Sequence, residues 1–292
     1  MSKILVTGAS GHIGRKTLQH LLKRTSVSEL VGLARDPARA ADLSAHGVEI
    51  RKGDYSDYSS LVRAFAGVEK VLLISTHAFA DRETEHANVI KAASEAGVRH
   101  LLYTPVIRPE GSKFELMQVT EPDIFTVKTL KESGLTYTIV AHPPFIESFE
   151  FYIGGNAFET GVRVPAGSGK AAPASRDNLA EAQAVILTST GHENKSYALT
   201  GNPAVSFADV AHILSAIYGK AVPYVAISDE QYIANLVAVG LPEVAAQFAL
   251  GWVDGINSGE WSERTGDLER LLGRRPSTAA EFFRAGYPTS QA

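Results

Sequence analysis

The chain has 292 residues, 45% of them hydrophobic and 21% charged, ordinary globular proportions that exclude a disordered or fibrous architecture. A formal net charge of -4 provides no positive field to gather a polyanion, so no nucleic acid is expected as a partner. The absence of cysteine removes disulfides, thiolate metal sites and a cysteine nucleophile; Met1-Ser2-Lys3 leads straight into a short strand, and no apolar run suits a signal peptide or a membrane span, so a cytoplasmic protein without membrane contact is expected.

In chain order, Lys3 to Thr7 is a short aliphatic run ending at Gly8, and Arg15 to Arg24 follows as a helix carrying Leu18, Leu21 and Leu22. Further strand-like runs are Leu30 to Leu33, Val48 to Arg51, Val71 to Ser75, Leu101 to Thr104 and Tyr137 to Val140. Helical stretches lie between most of them, notably Ser59 to Phe65, Glu83 to Ala96 and Pro122 to Ser133. Near-continuous apolar strands alternating with helices predict a parallel α/β sheet covered on both faces, a doubly wound architecture. After Val140 the pattern changes. Pro143-Pro144 breaks the chain, and Gly154-Gly155, Gly161, Gly167 and Gly169 punctuate a stretch with no clear helix. Asp177 reads as the N-cap of a helix to Ser189, Ser196 to Leu199 as a last strand, and Phe207 to Tyr218, Asp229 to Val239 and Leu268 to Leu271 as helices. This divides the chain into a dinucleotide-binding domain over residues 1–142, to which 177–200 return, and a smaller, mainly helical and loop-rich C-terminal substrate lobe over 143–176 and 201–292.

Gly8-Ala9-Ser10-Gly11-His12-Ile13-Gly14 sits between the first strand and the first helix, the context that gives a glycine pattern physical meaning. Gly8 permits the turn off the strand, Gly11 lets the backbone approach a pyrophosphate, and Gly14 lets the helix pack against the sheet. Free N–H groups at the helix start then hold the phosphates. The alternative is a turn that merely happens to be rich in glycine. At the end of the second strand stands Arg35, with Arg39 one turn on. A guanidinium there matches a 2′-phosphate and selects NADPH over NADH, whereas Asp36 in that place would select NADH.

The spacing is GxxGxxG rather than GxGxxG. It resembles the loop of the extended and atypical short-chain dehydrogenase/reductases, which have a Rossmann sheet. Together with Leu33-Ala34-Arg35-Asp36-Pro37, Lys52-Gly53-Asp54-Tyr55, Gly67 to Ser75, Tyr197-Ala198-Leu199-Thr200-Gly201 and Gly240-Leu241-Pro242, it looks like the NmrA-like branch. The pattern is similar to that of its type 2 NAD(P)H:quinone oxidoreductases and triphenylmethane reductases, and the likeness spans nearly the whole chain. It implies that Ser10, His12 and Ile13 line the phosphates with the glycines, that Asp54 and Tyr55 lie along the adenine, and that Ser75, Thr76 and His77 line the cofactor; Asp54 reads equally as a turn residue.

A typical short-chain dehydrogenase uses a tyrosine with a lysine four residues later to pass a proton. Here the lysine position is Lys128 and the tyrosine position is Ile124. Thr120 and Asp123 have capping-box spacing, and Ile124, Val127 and Leu130 form an apolar stripe, so Lys128 either reaches the nicotinamide ribose or is solvated. Thr104 ends the fifth strand where relatives place a hydroxyl for the substrate oxygen, and His142 is a candidate proton donor. Pro144, Phe145 and Phe149, with Phe151 and Tyr152 nearby, would close an apolar substrate pocket, or would pack as core. His77, His86 and His100 lack ligand spacing, so no metal is expected.

The leading reading is an NADPH-dependent reductase passing hydride to a conjugated small molecule, such as a quinone or enone, without a catalytic tyrosine. Alternatives are a non-catalytic NADP(H)-binding redox sensor of the NmrA type and an isomerase or epimerase of the same superfamily. A homodimer is compatible with the sequence.

Overall fold

The computed structural model describes residues 3–286, so Met1 and Ser2 lie outside it. Its strands are β1 (Lys3–Val6), β2 (Leu30–Ala34), β3 (Glu49–Lys52), β4 (Val68–Ile74), β5 (His100–Thr104), β6 (Thr136–Ala141), β7 (Val162–Pro165), β8 (Lys195–Ala198) and β9 (Tyr224–Ile227). Seven of them form a sheet in the order β3-β2-β1-β4-β5-β6-β8, every neighbouring pair parallel. The order turns back between β1 and β4, and the loops leaving those two strands diverge there to open a crevice above the strand C-termini. This is the doubly wound α/β sheet expected.

Helices α1 (His12–Leu21), α2 (Ala41–Ala45), α3 (Tyr58–Ala64), α4 (Arg82–Glu95) and α5 (Thr120–Glu132) follow successive strands. After β6 come α6 (Ile146–Ile153), α7 (Ala157–Thr160), α8 (Arg176–Thr188), α9 (Phe207–Tyr218), α10 (Asp229–Ala238), α11 (Glu243–Ser258), α12 (Asp267–Leu272) and α13 (Ala279–Gly286). On one face of the sheet, Leu18 and Leu21 of α1 meet Leu179 and Ile186 of α8 over Val6, Leu72 and Leu102. On the other, Leu61, Phe65, Val89, Ile90 and Leu130 cover Leu5, Val71, Leu73 and Leu101. Because alternate side chains of the central strands enter opposite cores, β1, β2, β4 and β5 are mostly apolar, which is why periodicity located them, whereas the edge strands β3 and β8 are mostly polar and incompletely buried. Burying each such side chain contributes roughly 1.5–3 kcal/mol.

A third core gathers Phe149, Ile153, Val164, Phe207, Leu214, Val253, Trp261 and Phe283, and here the sequence reading needs correction. The stretch taken as having no clear helix contains α6, α7 and β7. Pro143-Pro144 lies ahead of α6, where its lack of N–H costs nothing, and the glycines close the helices rather than replacing them: α6 ends at Gly154 and α7 at Gly161. β8 is not the last strand, since β9 pairs with β7, and the helix α11 went unread because Gly251 and Gly255 interrupt its pattern. The N-cap of α8 is Ser175, whose side chain accepts from the Asn178 N–H, rather than Asp177, which pairs with Lys16 and His20 of α1.

Candidate active site

The loop after β1 turns at Gly8, with φ +62, a left-handed conformation that costs glycine little. A Cβ on Gly14 would stand 2.3 Å from the Gly8 carbonyl oxygen, so this position is closed to any larger residue. No side chain caps the first turn of α1. Its N–H groups, which have no acceptor within the helix, are therefore left to the crevice.

From this loop a cleft of about 850 Å³ runs along the strand ends. Gly8, Ser10, Gly11, His12, Ile13 and Gly14 border one part, with Arg35, Asp54 and Tyr55 beside them; Ser75, Thr76 and His77 follow, and then Thr104, His142 and Phe145. Fifteen positions read from the sequence thus share one cleft. Asp36 is committed elsewhere: its carboxylate accepts the Ala38 N–H and caps the turn at Pro37. Arg35 and Arg39 are exposed, and neither guanidinium has a hydrogen-bond or ion-pair partner among the described residues. Two free cations with the carboxylate turned away suit a 2′-phosphate. Asp54 does serve as a turn residue, since its Oδ1 accepts from the Ser56 N–H and hydroxyl. The Tyr55 hydroxyl is bonded to Thr7 and the Ile74 carbonyl, so only its ring remains for an adenine.

The chemistry-bearing groups differ more from expectation. Lys128 does not reach the cleft. Helix α5 turns Asp123, Thr126 and Leu130 inward, which leaves Ile124 half exposed and Lys128 exposed, both bordering a separate cavity of about 720 Å³. The capping box fails for the same reason: Val119 precedes the helix without a side-chain cap, and the Asp123 carboxylate instead receives Arg82, the Tyr103 hydroxyl and the Val106 N–H. Burial pushes the Asp123 carboxyl above its ordinary range, while Arg82 works in the opposite direction.

His142 is buried at the cleft wall, with Nε2 2.8 Å from the Gln183 amide. Gln183 in turn meets the Thr17 hydroxyl of α1 at 2.7 Å. Burial pushes the imidazole down to about 3, so it is neutral at ordinary pH and is not the acid that the sequence suggested; it can still donate one hydrogen bond, as neutral imidazoles do. The Thr104 hydroxyl accepts the Ser75 N–H at 3.2 Å, and no described residue takes its proton, which is free for an oxygen in the cleft. Pro144 and Phe149 are also corrected. Phe149 is 1% exposed against Phe207 and Tyr152 in the third core, and Pro144 is buried, its carbonyl accepting from Ala174. Pro143 and Phe151 border the cleft in their stead.

Sequence reasoning missed four contributors. Phe248 and Trp252, one turn apart on α11, line the cleft along with Phe151; their four-residue spacing was the available signal. Arg176 borders the same cleft. The fourth is His86. Pro122 O can only accept, so the Thr126 hydroxyl donates to it and receives His86 Nδ1–H, which leaves His86 Nε2 to accept the Thr76 N–H at 3.1 Å. His86 thereby fixes the backbone of the loop after β4.

Residues 8–190 match the model of a family described as NAD(P)H-binding. The chain belongs to this NAD(P)H-binding family. Among curated proteins it is 35% identical to quinone oxidoreductase 2 of Escherichia coli strain K12, over 95% of this chain and 96% of that one. It is 31% identical to an NAD(P)H azoreductase of Xenophilus azovorans, over 97% of each. Among solved structures, the Citrobacter triphenylmethane reductase complexed with NADP(H) superposes with a TM-score of 0.89 at 33% identity, covering 97% of this chain and 99% of that one. The resemblance to the NmrA-like branch is borne out, and the chain is an NAD(P)H-dependent oxidoreductase. No helix among the described residues is long and apolar enough to cross a membrane.

Proposed function

We propose that the chain uses NADPH to reduce a conjugated small molecule, a quinone, enone or related acceptor, without a catalytic tyrosine. The observation that carries this reading is the continuity of the cleft from the glycine loop to the aromatic wall of Phe145, Phe151, Phe248 and Trp252. The residues fit the cofactor: the α1 N–H groups hold the pyrophosphate, Arg35 and Arg39 the 2′-phosphate, and Tyr55, Ser75, Thr76 and His77 the remainder. When bound, NADPH supplies the hydride. Thr104 donates a hydrogen bond to the acceptor oxygen, neutral His142 orients the ring, and the aromatic wall excludes water. No residue need supply a full proton, because charge delocalised over a conjugated acceptor persists until the product leaves the cleft and takes its proton from solvent. In this reading residues 1–142 with 177–200 bind the dinucleotide, and 143–176 with 201–292 form the substrate lobe. An acceptor wall of this width counts against a pure redox sensor.

The test is NADPH oxidation by the purified protein with a panel of quinones, enones and cationic dyes. Turnover with at least one class is expected, and kcat/KM should show no inflection from His142 near neutral pH, because its imidazole stays neutral down to about 3. Tight NADPH binding with no oxidation by any acceptor would sink the proposal in favour of the sensor.

A further inference from the structure

Arg176 opens α8, and its guanidinium carbon lies 4.6 Å over the Phe145 ring, at the acceptor end of the cleft. We propose that Arg176 is an anion-binding subsite, so that the preferred acceptors carry a carboxylate, sulfonate or phosphate on the conjugated ring. The inference rests on the reductase reading and names its substrate class.

Three observations support it. First, the guanidinium is poorly engaged: its polar contacts are Ser148 Oγ at 3.4 Å and Glu147 Oε2 at 3.9 Å, both at or beyond the outer limit of a hydrogen bond. Second, the nearest carboxylate, Glu147, makes no hydrogen bond to the guanidinium, so it offsets part of the positive charge without occupying the N–H donors. Both Glu147 oxygens accept the Arg176 backbone N–H, at 2.9 and 3.2 Å, at a helix N-terminus where negative charge is favoured. Third, stacking on Phe145 holds the planar fork in one orientation, and the Arg176 side chain is only 24% exposed, so water screens it incompletely. The other charges nearby do not compete. Arg82 is paired with Asp123, Asp177 with Lys16 and His20, and His142 is neutral. An anion reaching Arg176 would find most of five N–H donors free.

The alternative is a latch in which Arg176 merely ties α8 to α6. The two are separated by measuring kcat/KM for 1,4-naphthoquinone and for 1,4-naphthoquinone-2-sulfonate. Comparing the ratio between wild type and variant cancels the difference in intrinsic reactivity of the two quinones. Arg176→Gln should lower the sulfonate-to-parent ratio about tenfold or more, through KM, as expected for a lost charge-assisted contact; Arg176→Lys should recover part of it, and added salt should shrink the wild-type preference. A ratio unchanged within twofold, or parallel loss for both quinones with a lowered Tm, would overturn the subsite. If neither quinone is turned over, the full acceptor panel decides the reductase reading separately. Calorimetric titration of the sulfonate into the protein with NADP+ then decides the subsite, and equal affinity for wild type and Arg176→Gln refutes it.

Discussion

The two ends of the cleft are built from different materials. At the cofactor end the recognising groups are mostly backbone, the Gly8 turn and the uncapped start of α1, beside a loop after β4 that His86 holds through the Thr76 N–H. At the acceptor end they are side chains delivered by separate elements, Phe145 ahead of α6, Phe151 on α6, Arg176 on α8, and Phe248 and Trp252 on α11. Backbone recognition is unforgiving, since one added methyl group alters a main-chain contact. A wall of several side chains tolerates the loss of one, because its neighbours still exclude water. Mutations should therefore act steeply at one end and shallowly at the other.

The largest effect on cofactor binding is expected at Gly14. A Cβ there meets backbone at 2.3 Å, an overlap that no rotamer relieves, so Gly14→Ala must displace α1 from β1 and spoil the phosphate cradle. NADPH affinity measured by calorimetry should fall by roughly two orders of magnitude, a loss of about 3 kcal/mol. Affinity within threefold of wild type would show that the cradle does not depend on this approach. Next comes the phosphate clamp. Arg35→Ala should weaken NADPH about ten- to a hundredfold while leaving NADH nearly unchanged, as expected for one charge-assisted contact worth about 1.5–3 kcal/mol. Equal loss for both cofactors would refute the 2′-phosphate assignment, and Arg39→Ala should show the same sign with a smaller size. At the acceptor end, Phe248→Ala should raise KM for a quinone only a fewfold with kcat little changed, because Phe151 and Trp252 remain. A loss as large as that at Gly14 would abolish the contrast between the two ends.

That contrast also explains what was legible in the sequence. Backbone recognition is encoded locally, in consecutive residues whose glycines and flanking periodicity carry the signal, so the loop from Gly8 to Gly14 and the strand ends at Arg35, Ser75 and Thr104 all reached the cleft as read. The sheet was legible for a related reason, since burial on both faces forces its central strands to be mostly apolar. The acceptor wall is assembled from segments some hundred residues apart, and four-residue aromatic spacing, which Phe145 and Phe149 share with Phe248 and Trp252, does not tell Phe248, which borders the cleft, from Phe149, which packs in the core. The outward setting of Lys128 was equally hidden. Spacing placed Ile124 and Lys128 on one flank of α5, but which flank faces inward is decided by Asp123, whose carboxylate is held by Arg82 and Tyr103 from other elements.

The smallest effect is therefore expected at Lys128, where family pattern and structure disagree most. As α5 sits, Lys128 lies outside the cleft that would hold the cofactor and acceptor, and it has no hydrogen-bond or ion-pair partner among the described residues. Lys128→Ala should then change kcat, KM and NADPH affinity by less than about twofold, within the roughly 0.5 kcal/mol typical of surface substitutions. Asp123→Asn should cost far more, because it leaves the buried Arg82 guanidinium without its counter-charge, a loss of about 3–5 kcal/mol for a pair of this kind. The comparison reads the rotation of α5 directly. A large loss of kcat at Lys128 with little change at Asp123 would mean that the helix presents its other flank to the cofactor in the working enzyme.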